Sequence, residues 1–429
     1  MRRATISVLA ALCLAACTSK TYGPLPSREQ LDWADMEYYM FCHFGPNTFS
    51  GVEWGSGAEN PDIFCPSDLD CEQWVRTAID AGMKGIILTA KHHDGFCLWP
   101  SRYSEHTVAH SAWMDGQGDV VGALKKACDK YDFPMGVYIS PWDRNHPTYG
   151  TDEYNNVFAA TIREVHSTYG PFFEQWFDGA NGGAKIPDYD WPLFNSAVYE
   201  HSPNAVIFSD VGPGCRWIGN EEGHAGLTNW CRLDVEGYTP GAGAPDTKTL
   251  NEGQEDGQCW IPGEVDVPIR SGWFWNTGNE NTLKSVDDLM EIWFASVGRG
   301  SNLILNVGPD QRGHIPEADS IRLMEFKAAR DEYFSKPLAR CKNKSRQSVL
   351  KVSEPAKCIV IKEDIRYGQK VKAFTIEACT DGQWTTIADG TTIGHKRILR
   401  FDSPVSATRI RLRITDAFAR PMIKEVVVY

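Results

Sequence analysis

The chain has 429 residues, 42% of them hydrophobic and 23% charged, and its formal net charge at pH 7 is −13. This length is too great for one small core, so one large α/β domain and a smaller module are the expected division. The acidic balance excludes a nucleic-acid partner, because such a partner would need a basic surface.

The first residues are typical of an export signal and not of a fold. Arg2 and Arg3 precede an apolar run at 6–16 that is too short to span a bilayer. The run ends in Leu14-Ala15-Ala16-Cys17, which resembles a bacterial lipoprotein signal. Residues 1–17 are therefore predicted to be a signal peptide whose Cys17 is lipidated, and 18–29 a tether. The protein is expected to be exported and anchored in the envelope, in the periplasm or outer membrane, through this lipid alone.

Short apolar runs then alternate with helical patterns. The predicted strands are 38–45, 85–91, 135–141, 172–178, 205–210 and 303–307. The predicted helices include 70–82, 119–131, one capped by Ser285 and Asp288, and one that begins at Pro316. This alternation predicts a (β/α)8-like barrel over 30–340, although two strands stay unplaced because 211–282 is rich in loops.

The last part of the chain has a different pattern. Short β-rich segments lie at 371–378, 384–387, 397–401, 409–414 and 423–429, and Asp-Gly pairs supply turns between them. Residues 409–414 alternate strictly between polar and apolar, as a half-buried strand does. An antiparallel β-sandwich is therefore predicted over 341–429. It could bind sugar or only support the barrel, and support is the favoured reading.

Polar residues follow four consecutive predicted strands. They are His43 after the first, Lys91 to Asp94 after the second, Tyr138, Ser140 and Asp143 in and after the third, and Asp178 at the end of the fourth. Alone, Asp178-Gly179 could simply form a turn. Four such groups at the same ends of parallel strands instead predict one pocket at the mouth of the barrel. The 15 Trp residues favour a sugar ligand, since a flat ring matches the C–H face of a pyranose, but Trp can also just fill a core.

Five segments taken together resemble glycoside hydrolase family 29, the α-L-fucosidases. They are Phe41-Cys42-His43-Phe44-Gly45, Val52-Glu53-Trp54, Ala90-Lys91-His92-His93-Asp94-Gly95-Phe96, Gln175-Trp176-Phe177-Asp178-Gly179 and Leu303-Ile304-Leu305-Asn306-Val307-Gly308-Pro309. The resemblance implies that Asp178 is the nucleophile. It also implies that the substrate, a fucosylated oligosaccharide or glycoconjugate, is bound by His43, Glu53, Trp54, His92, His93, Tyr138 and Trp176. The aromatic stretch 270–275 resembles a late element of the family and adds Trp273 and Trp275, which could otherwise belong to the core.

The chemistry of the residues agrees with the resemblance. A retaining glycosidase needs a nucleophile and an acid/base whose carboxyl groups lie about 5–5.5 Å apart. The nucleophile must stay ionised, and an imidazolium or a hydroxyl beside it would favour that state. Histidines and Glu53 can bond the hydroxyls of fucose, while an aromatic ring can face its methyl group.

Three residues remain candidates for the acid/base. Glu221 stands 43 residues after Asp178, in a Trp217–Glu221 stretch that resembles the subgroup acting on α-1,3/1,4-fucosyl linkages of branched, Lewis-type glycans. Glu264 and Glu222 are the alternatives, because only the acid needs a raised pKa and the sequence does not show one. The subgroup resemblance implies a retaining exo-α-L-fucosidase, with broad specificity that includes α-1,2 and aryl fucosides as the alternative.

Other functions are also compatible with parts of the pattern. A glycan-binding lipoprotein without catalysis is one, and a barrel glycosidase for galactose-like sugars is another. The adjacent His92 and His93 could bind a metal, but neighbours on a strand point to opposite faces and no third ligand is suitably spaced. No metal and no cofactor are therefore predicted. The 11 cysteines after Cys17 show no zinc spacing, and no disulfide is assigned.

Overall fold

A computed structural model describes residues 21–183 and 188–429. The predicted signal peptide at 1–17, including Cys17, lies outside these residues. The described chain forms a closed barrel of eight strands followed by two four-stranded sheets. The predicted fold class, a (β/α)8-like barrel with a C-terminal antiparallel β-sandwich, is confirmed.

The barrel strands follow one another around the barrel in chain order, and the last one pairs with the first. They are β1 (Tyr38–Cys42), β2 (Ile86–Lys91), β3 (Met135–Ile139), β4 (Glu174–Trp176), β5 (Val206–Ser209), β6 (Cys215–Trp217), β7 (Gly263–Pro268) and β8 (Asn302–Asn306). All neighbouring pairs are parallel, so the carboxyl ends of the strands meet at one rim. The six predicted strands are all present.

The two strands that the sequence leaves unplaced are β6 and β7. β6 has three residues and follows β5 after only five residues, with no helix between them. Arg216 in its centre is fully buried and donates to the carbonyl groups of Leu250 and Ile261. A buried arginine in so short a strand breaks the apolar pattern that predicts strands.

Helices surround most of the barrel. They are α1 (Arg28–Met36), α2 (Pro46–Ser50), α3 (Cys71–Asp80), α4 (Val120–Lys130), α5 (Glu153–Tyr169), α6 (Trp191–Tyr199), α7 (Thr247–Glu252), α8 (Val286–Ala295) and α9 (Glu317–Tyr333). Asp70 and Asp119 accept hydrogen bonds from the first turns of α3 and α4, and the capping box of Ser285 with Asp288 begins α8. The four helices predicted by residue range or cap are therefore present.

Helix α1 lies across the amino-terminal end of the barrel. The Gln30 side chain donates to the carbonyl oxygens of Gly214 and Trp260, over 2.7 and 2.9 Å. The indole of Trp33 donates to Glu174 at the start of β4 over 2.9 Å. We call this amino-terminal end of the barrel the base, and the opposite end, where the strands finish, the mouth.

The C-terminal domain packs two antiparallel sheets face to face. Its strands are β9 (Ala339–Lys344), β10 (Gln347–Lys351), β11 (Ala356–Glu363), β12 (Val371–Thr380), β13 (Gln383–Gly390), β14 (Arg397–Val405), β15 (Arg409–Ala417) and β16 (Ile423–Val428). One sheet has the order β9-β16-β11-β14 and the other β10-β15-β12-β13. The sequence analysis does not predict β9, β10 or β11. Of these, β9 is a mostly exposed edge strand with three basic residues, so it lacks an apolar pattern.

The sandwich contacts the barrel at its base. Glu37, which directly precedes β1, accepts hydrogen bonds from Lys396, from His395 Nε2 over 3.1 Å and from Lys362 Nζ over 3.5 Å. These three partners all belong to the sandwich. The ion pairs therefore tie the second domain to the start of the first barrel strand.

Two further findings concern the whole described chain. Each of its 11 cysteines is a free thiol, including Cys65 and Cys71, which are close in sequence. No helix within residues 21–183 and 188–429 is long and apolar enough to cross a membrane.

Candidate active site

The strand ends converge on one pocket at the mouth of the barrel. Its lining includes eight of the residues implied by the family resemblance or by the candidate chemistry, together with Phe41, Ala180 and Asp266. The eight are His43, Trp54, His92, His93, Trp176, Asp178, Glu221 and Trp273. The parallel barrel thus brings together residues that lie up to 230 positions apart in the sequence.

The Asp178 carboxylate has a hydrogen-bond donor on each oxygen. The Tyr138 hydroxyl donates to Oδ2 over 3.0 Å, and the backbone N–H of Ala180 donates to Oδ1 over 2.7 Å. His93 Nε2 lies 3.7 Å from Oδ2. Burial, followed by the charge of Asp178, raises the pKa of Tyr138 well above its ordinary value, so its hydroxyl keeps its proton. Donors of this kind favour the ionised carboxylate.

The three histidines of the pocket are neutral near pH 7. Burial lowers the pKa of His43 to about 3 and the pKa of His92 well below its ordinary value. Burial also lowers the pKa of His93, although the charge of Asp178 opposes that change. The expectation of an imidazolium or a hydroxyl beside the nucleophile is therefore met by the hydroxyl of Tyr138 and not by a charged histidine.

Neighbouring side chains fix the orientation of two of these imidazoles. Nδ1 of His43 lies 2.8 Å from Oδ1 of Asn306 at the end of β8. Nδ1 of His93 lies 2.7 Å from the hydroxyl oxygen of Ser140, which follows β3. Because Nδ1 is engaged in both rings, Nε2 of His93 is directed at Asp178, and Nε2 of His43 is available to a sugar in the pocket.

Trp273 joins two carboxyl groups at the edge of the pocket. Its indole Nε1 donates to Glu221 Oε2 over 3.3 Å, and its backbone N–H donates to Glu53 Oε1 over 2.7 Å. Partial burial raises the pKa of Glu221, and the charge of Asp178 adds to that effect. Burial also raises the pKa of Glu53, with a further contribution from Glu221. A carboxyl group with a raised pKa is suited to donate a proton.

The structure does not bring the two alternative acids into the pocket. Glu264 is fully buried near the base, where Trp176 Nε1 donates to it over 2.8 Å and the Tyr39 hydroxyl also donates. Glu222 points outward with 79% of its side chain exposed, beside His224. A group sealed beneath Trp176 does not reach a sugar at the mouth, so the geometry favours Glu221 over Glu264 as the acid/base.

Aromatic rings form the walls of the pocket. Trp54 stands edge-on to His93 with ring centroids 5.6 Å apart, and Trp273 lies against His43 at 5.0 Å. Glu53, Tyr138 and Trp275 are not among the lining residues, but Tyr138 is bonded to Asp178 and Glu53 to Trp273, which both line the pocket. Phe274, the residue between Trp273 and Trp275, packs its ring against His43 and His92.

Asp266 in β7 is a pocket residue that sequence reasoning did not select. It is 1% exposed, and its Oδ1 accepts a hydrogen bond from Trp217 Nε1 over 3.0 Å. Burial raises its pKa well above the ordinary value, and the charges of Glu221 and Glu264 contribute. The alternation of Glu264, Val265, Asp266 and Val267 could have indicated a strand with two acids on its inner face.

A metal would need several ligand atoms close together. Among the residues that the structure describes, Glu174, Cys215 and Glu264 have ligand atoms within 4.8 Å of one another. The two carboxylates already accept hydrogen bonds from Trp33, Tyr39 and Trp176, and the group lies beneath the pocket, in the barrel core. Its chemistry is that of a hydrogen-bonded carboxyl pair.

A parallel barrel with a hydrogen-bonded carboxylate, a proton-donating carboxyl group and aromatic walls at its mouth is the architecture of a barrel glycoside hydrolase. A model of the α-L-fucosidase family matches residues 19–328. Alpha-L-fucosidase 1 of Arabidopsis thaliana is 38% identical over 446 residues, covering 95% of this chain and 87% of that protein.

Solved structures give the same result. A glycoside hydrolase 29 family member from a rumen bacterium superposes with a TM-score of 0.90 at 42% identity, covering 95% of this chain and 78% of that one. A Ruminococcus gnavus family 29 fucosidase, solved in complex with fucose, has a TM-score of 0.85 at 31% identity, covering 95% of each chain. The chain belongs to the α-L-fucosidase family, glycoside hydrolase family 29, and is an α-L-fucosidase.

Proposed function

We propose that this α-L-fucosidase is a retaining exo-enzyme that removes terminal α-1,3- or α-1,4-linked L-fucose from branched, Lewis-type glycans. The observation that carries the proposal is the contrast between Asp178 and Glu221 in one pocket. Asp178 has a donor on each carboxylate oxygen, whereas the pKa of Glu221 is raised. A carboxylate that accepts two hydrogen bonds and a second carboxyl group with a raised pKa can act as nucleophile and acid.

The reaction then takes two displacements. Asp178 attacks C1 of fucose while Glu221 gives its proton to the glycosidic oxygen, and the bond from C1 to that oxygen breaks. A fucosyl–Asp178 ester and a free sugar alcohol result. Glu221, now ionised, removes a proton from water as the water attacks C1, which releases α-L-fucose and regenerates both carboxyl groups. The electrostatic interaction between Asp178 and Glu221 supports this pairing.

The remaining pocket residues are proposed to bind the fucosyl group. His43, His92, His93 and Glu53 offer hydrogen bonds to its hydroxyls, and the aromatic walls offer an apolar face to its methyl group. Buried neutral imidazoles suit a neutral sugar, because they can donate or accept without bringing a charge that needs compensation. The Ruminococcus gnavus relative was solved with fucose bound, which supports a fucose pocket in this chain as well.

The linkage preference rests on the loops beyond β6. Residues 218–262 carry Glu221 into the mouth through a long segment in which helix α7 has only six residues. Loops of this length over a barrel mouth can contact sugars that branch from the same residue as fucose. Broad specificity that includes α-1,2 and aryl fucosides is the alternative.

We also propose that the mature protein is a lipoprotein held in the bacterial envelope, in the periplasm or outer membrane, through Cys17. The support is the sequence Leu14-Ala15-Ala16-Cys17 after a short apolar run. Cys17→Ser is expected to move the protein from the membrane fraction to the soluble fraction, measured by immunoblotting. Unchanged fractionation would remove this proposal and leave the enzymatic one intact.

The enzymatic proposal is tested by the configuration of the first product. Proton NMR of the reaction with an aryl α-L-fucoside is expected to show α-L-fucose first, because two displacements retain configuration. Asp178→Ala is expected to abolish turnover, and added azide is expected to restore it with formation of β-fucosyl azide. An initial β-anomer contradicts retention, and a wild-type protein without turnover on any fucoside indicates a glycan-binding protein that lacks catalysis.

A further inference from the structure

One surface of the sandwich has a charge opposite to that of the whole chain. Four basic residues line a hollow of about 500 Å³ around Tyr367, where Asp364 is the acidic lining residue. We call this surface the basic face and define it by Lys344, Arg366, Arg420 and Lys424. The chain as a whole carries a formal net charge of −13, so this concentration of positive charge is a local exception.

The charges of the basic face are available to solvent. Lys344, Arg420 and Lys424 are exposed. The Arg366 side chain is 62% exposed, and its guanidinium forms two hydrogen bonds of 2.7 Å with Asp364. Asp364 is thus neutralised by one of the four cations, which leaves an excess of three positive charges around the hollow.

The described chain begins beside this surface. The backbone N–H of Tyr22 donates to the carbonyl oxygen of Tyr367 over 3.1 Å. The Tyr22 ring stacks on Phe418, two residues before Arg420, with centroids 4.6 Å apart. Tyr22 is therefore held at the rim of the hollow by two contacts, one with Tyr367 and one with Phe418.

The proposed lipidation residue is close to Tyr22 in sequence. Cys17 precedes Tyr22 by five residues, and five fully extended residues span at most about 18 Å. A membrane that holds a lipid on Cys17 must therefore lie within that distance of Tyr22. This reach lets its headgroups approach the basic face to within about 8 Å, the distance over which electrostatic attraction acts at physiological salt.

The basic face also lies at the end of the barrel away from the pocket. Lys362, in the strand β11 that ends just before Asp364, donates a hydrogen bond to Glu37, which directly precedes β1 at the base. The pocket opens at the other end, where the strands finish. A flat partner on the basic face would leave the mouth unobstructed.

We propose that the basic face rests on the anionic phospholipid headgroups of the membrane to which Cys17 anchors the chain, so that the barrel mouth points away from the bilayer. This proposal rests on the proposed lipid anchor and not on the sugar specificity of the enzyme. It gives the enzyme an orientation in which a large branched glycan reaches the pocket from the aqueous side.

Vesicle binding of the unlipidated protein isolates the contribution of charge. Full-length Cys17→Ser protein is mixed with vesicles of 30% phosphatidylglycerol in phosphatidylcholine, or of phosphatidylcholine alone, and sedimented. We expect binding to the anionic vesicles only, and its loss at high salt. Lys344→Glu, Arg420→Glu and Lys424→Glu combined should lower the partition coefficient more than tenfold.

A matched triple variant controls for net charge. Lys126→Glu, Lys248→Glu and Lys351→Glu reverse three exposed charges outside the basic face. This variant should keep anionic binding within about twofold of the Cys17→Ser protein, since only charges within about a Debye length of the headgroups contribute. Equal losses in both variants, no binding to anionic vesicles, or binding only to soluble sulfated dextran would overturn the proposal.

The lipidated protein gives an independent measure of orientation. Lysine acetylation of the wild-type protein in anionic vesicles is compared with acetylation in detergent, by mass spectrometry. Lys344 and Lys424 should be acetylated several-fold more slowly on vesicles, while Lys126 and Lys248 keep their rates. Equal slowing of all four would contradict a defined orientation. Hydrolysis of a soluble aryl fucoside should be unchanged in the triple variant of the basic face, so failure here is separable from failure of the proposed mechanism.

Discussion

The hydroxyl of Tyr138 donates a hydrogen bond to Oδ2 of Asp178 over 3.0 Å across the mouth of the barrel. Tyr138 belongs to β3 and Asp178 follows β4, so two neighbouring strands hold donor and acceptor in register. Because the pocket histidines are neutral, this hydroxyl and the N–H of Ala180 are the groups that stabilise the negative charge of Asp178.

The first prediction concerns this bond. Tyr138→Phe is expected to lower kcat/KM for an aryl fucoside about 10- to 100-fold, since a hydrogen bond to a charged group contributes about 1.5–3 kcal/mol. Tyr189→Phe is the control, because its hydroxyl is paired with the Tyr149 hydroxyl and not with a pocket carboxylate. Steady-state kinetics with circular dichroism separates catalysis from folding. Equal effects in both variants would contradict a specific role for Tyr138.

The second prediction concerns proton donation by Glu221. Glu221→Gln is expected to reduce hydrolysis of a natural oligosaccharide at least about 10²-fold but to affect an activated aryl fucoside much less, because a good leaving group needs no proton. The rate falls in the wild type as pH rises through the raised pKa of Glu221, and this alkaline decline should vanish in the variant. Glu222→Gln is the matched control. If Glu221→Gln affects both substrates equally, another residue is the acid.

The third prediction concerns the protonation state of Asp266. Burial raises its pKa well above the ordinary value, which favours a neutral side chain, and Asn imitates a neutral carboxylic acid in shape and in hydrogen bonding. Asp266→Asn should therefore keep kcat/KM within about threefold, whereas Asp266→Leu should lose about 10- to 100-fold, since it leaves Trp217 without its acceptor and the sugar without a polar partner. Measurement of kcat/KM for both variants between pH 5 and 8 tests this prediction. An Asn variant as inactive as the Leu variant would mean that Asp266 works as an anion.

The fourth prediction concerns the ion pairs between the domains. Burial alone would raise the pKa of Glu37, but the hydrogen bond from His395 and the charges of Lys396 and Lys362 hold it well below the ordinary 4.5. A carboxyl group whose pKa is lower in the folded state than in the unfolded state stabilises the fold at pH values above its unfolded pKa. This stabilisation is lost as the pH falls through the folded-state pKa. Glu37→Gln should therefore cost about 3 kcal/mol at pH 7 and less below pH ~4.

Thermal unfolding at several pH values measures this effect. The wild-type and Glu37→Gln melting curves should converge as the solution becomes acidic. Glu354→Gln is the control, because its pair with Lys336 is exposed and contributes less than about 1 kcal/mol. A difference between wild type and Glu37→Gln that does not depend on pH would indicate a loss of packing and not of charge.

The sequence predicted the part of the site that depends on strand ends. His43, His93 and Asp178 each follow a long apolar run, and parallel strands place the ends of such runs at one rim. The barrel topology alone therefore predicts that these three side chains lie close together, without the exact register of the strands. The same reasoning identified six strands, because each is buried on both faces and lies in a largely apolar stretch, although β4 itself is only Glu174-Gln175-Trp176.

The sequence could not show the height of a side chain inside the barrel. Glu264 and Asp266 are both inward-facing residues of β7, about 7 Å apart along the strand. That difference puts Glu264 beneath Trp176 and Asp266 in the pocket wall. Glu264 was plausible as an acid because of its residue type alone, and Asp266 lacked any motif. The alternation from Glu264 to Val267 indicates a strand, but the register of β7 against β6, which decides the height of both acids, is not visible in the sequence.

The last prediction concerns the linkage that the enzyme prefers. A Lewis-type trisaccharide is expected to be cleaved faster than 2′-fucosyllactose, because the 218–262 segment that presents Glu221 can also contact the neighbouring galactose. Binding energy from that remote sugar can lower the barrier at the fucosyl bond, so removing the galactose should reduce kcat as well as raise KM. Rates for the trisaccharide, its galactose-free disaccharide and 2′-fucosyllactose are compared by fucose release. Faster cleavage of the α-1,2 substrate would favour broad specificity, and equal rates with and without galactose would exclude a galactose contact.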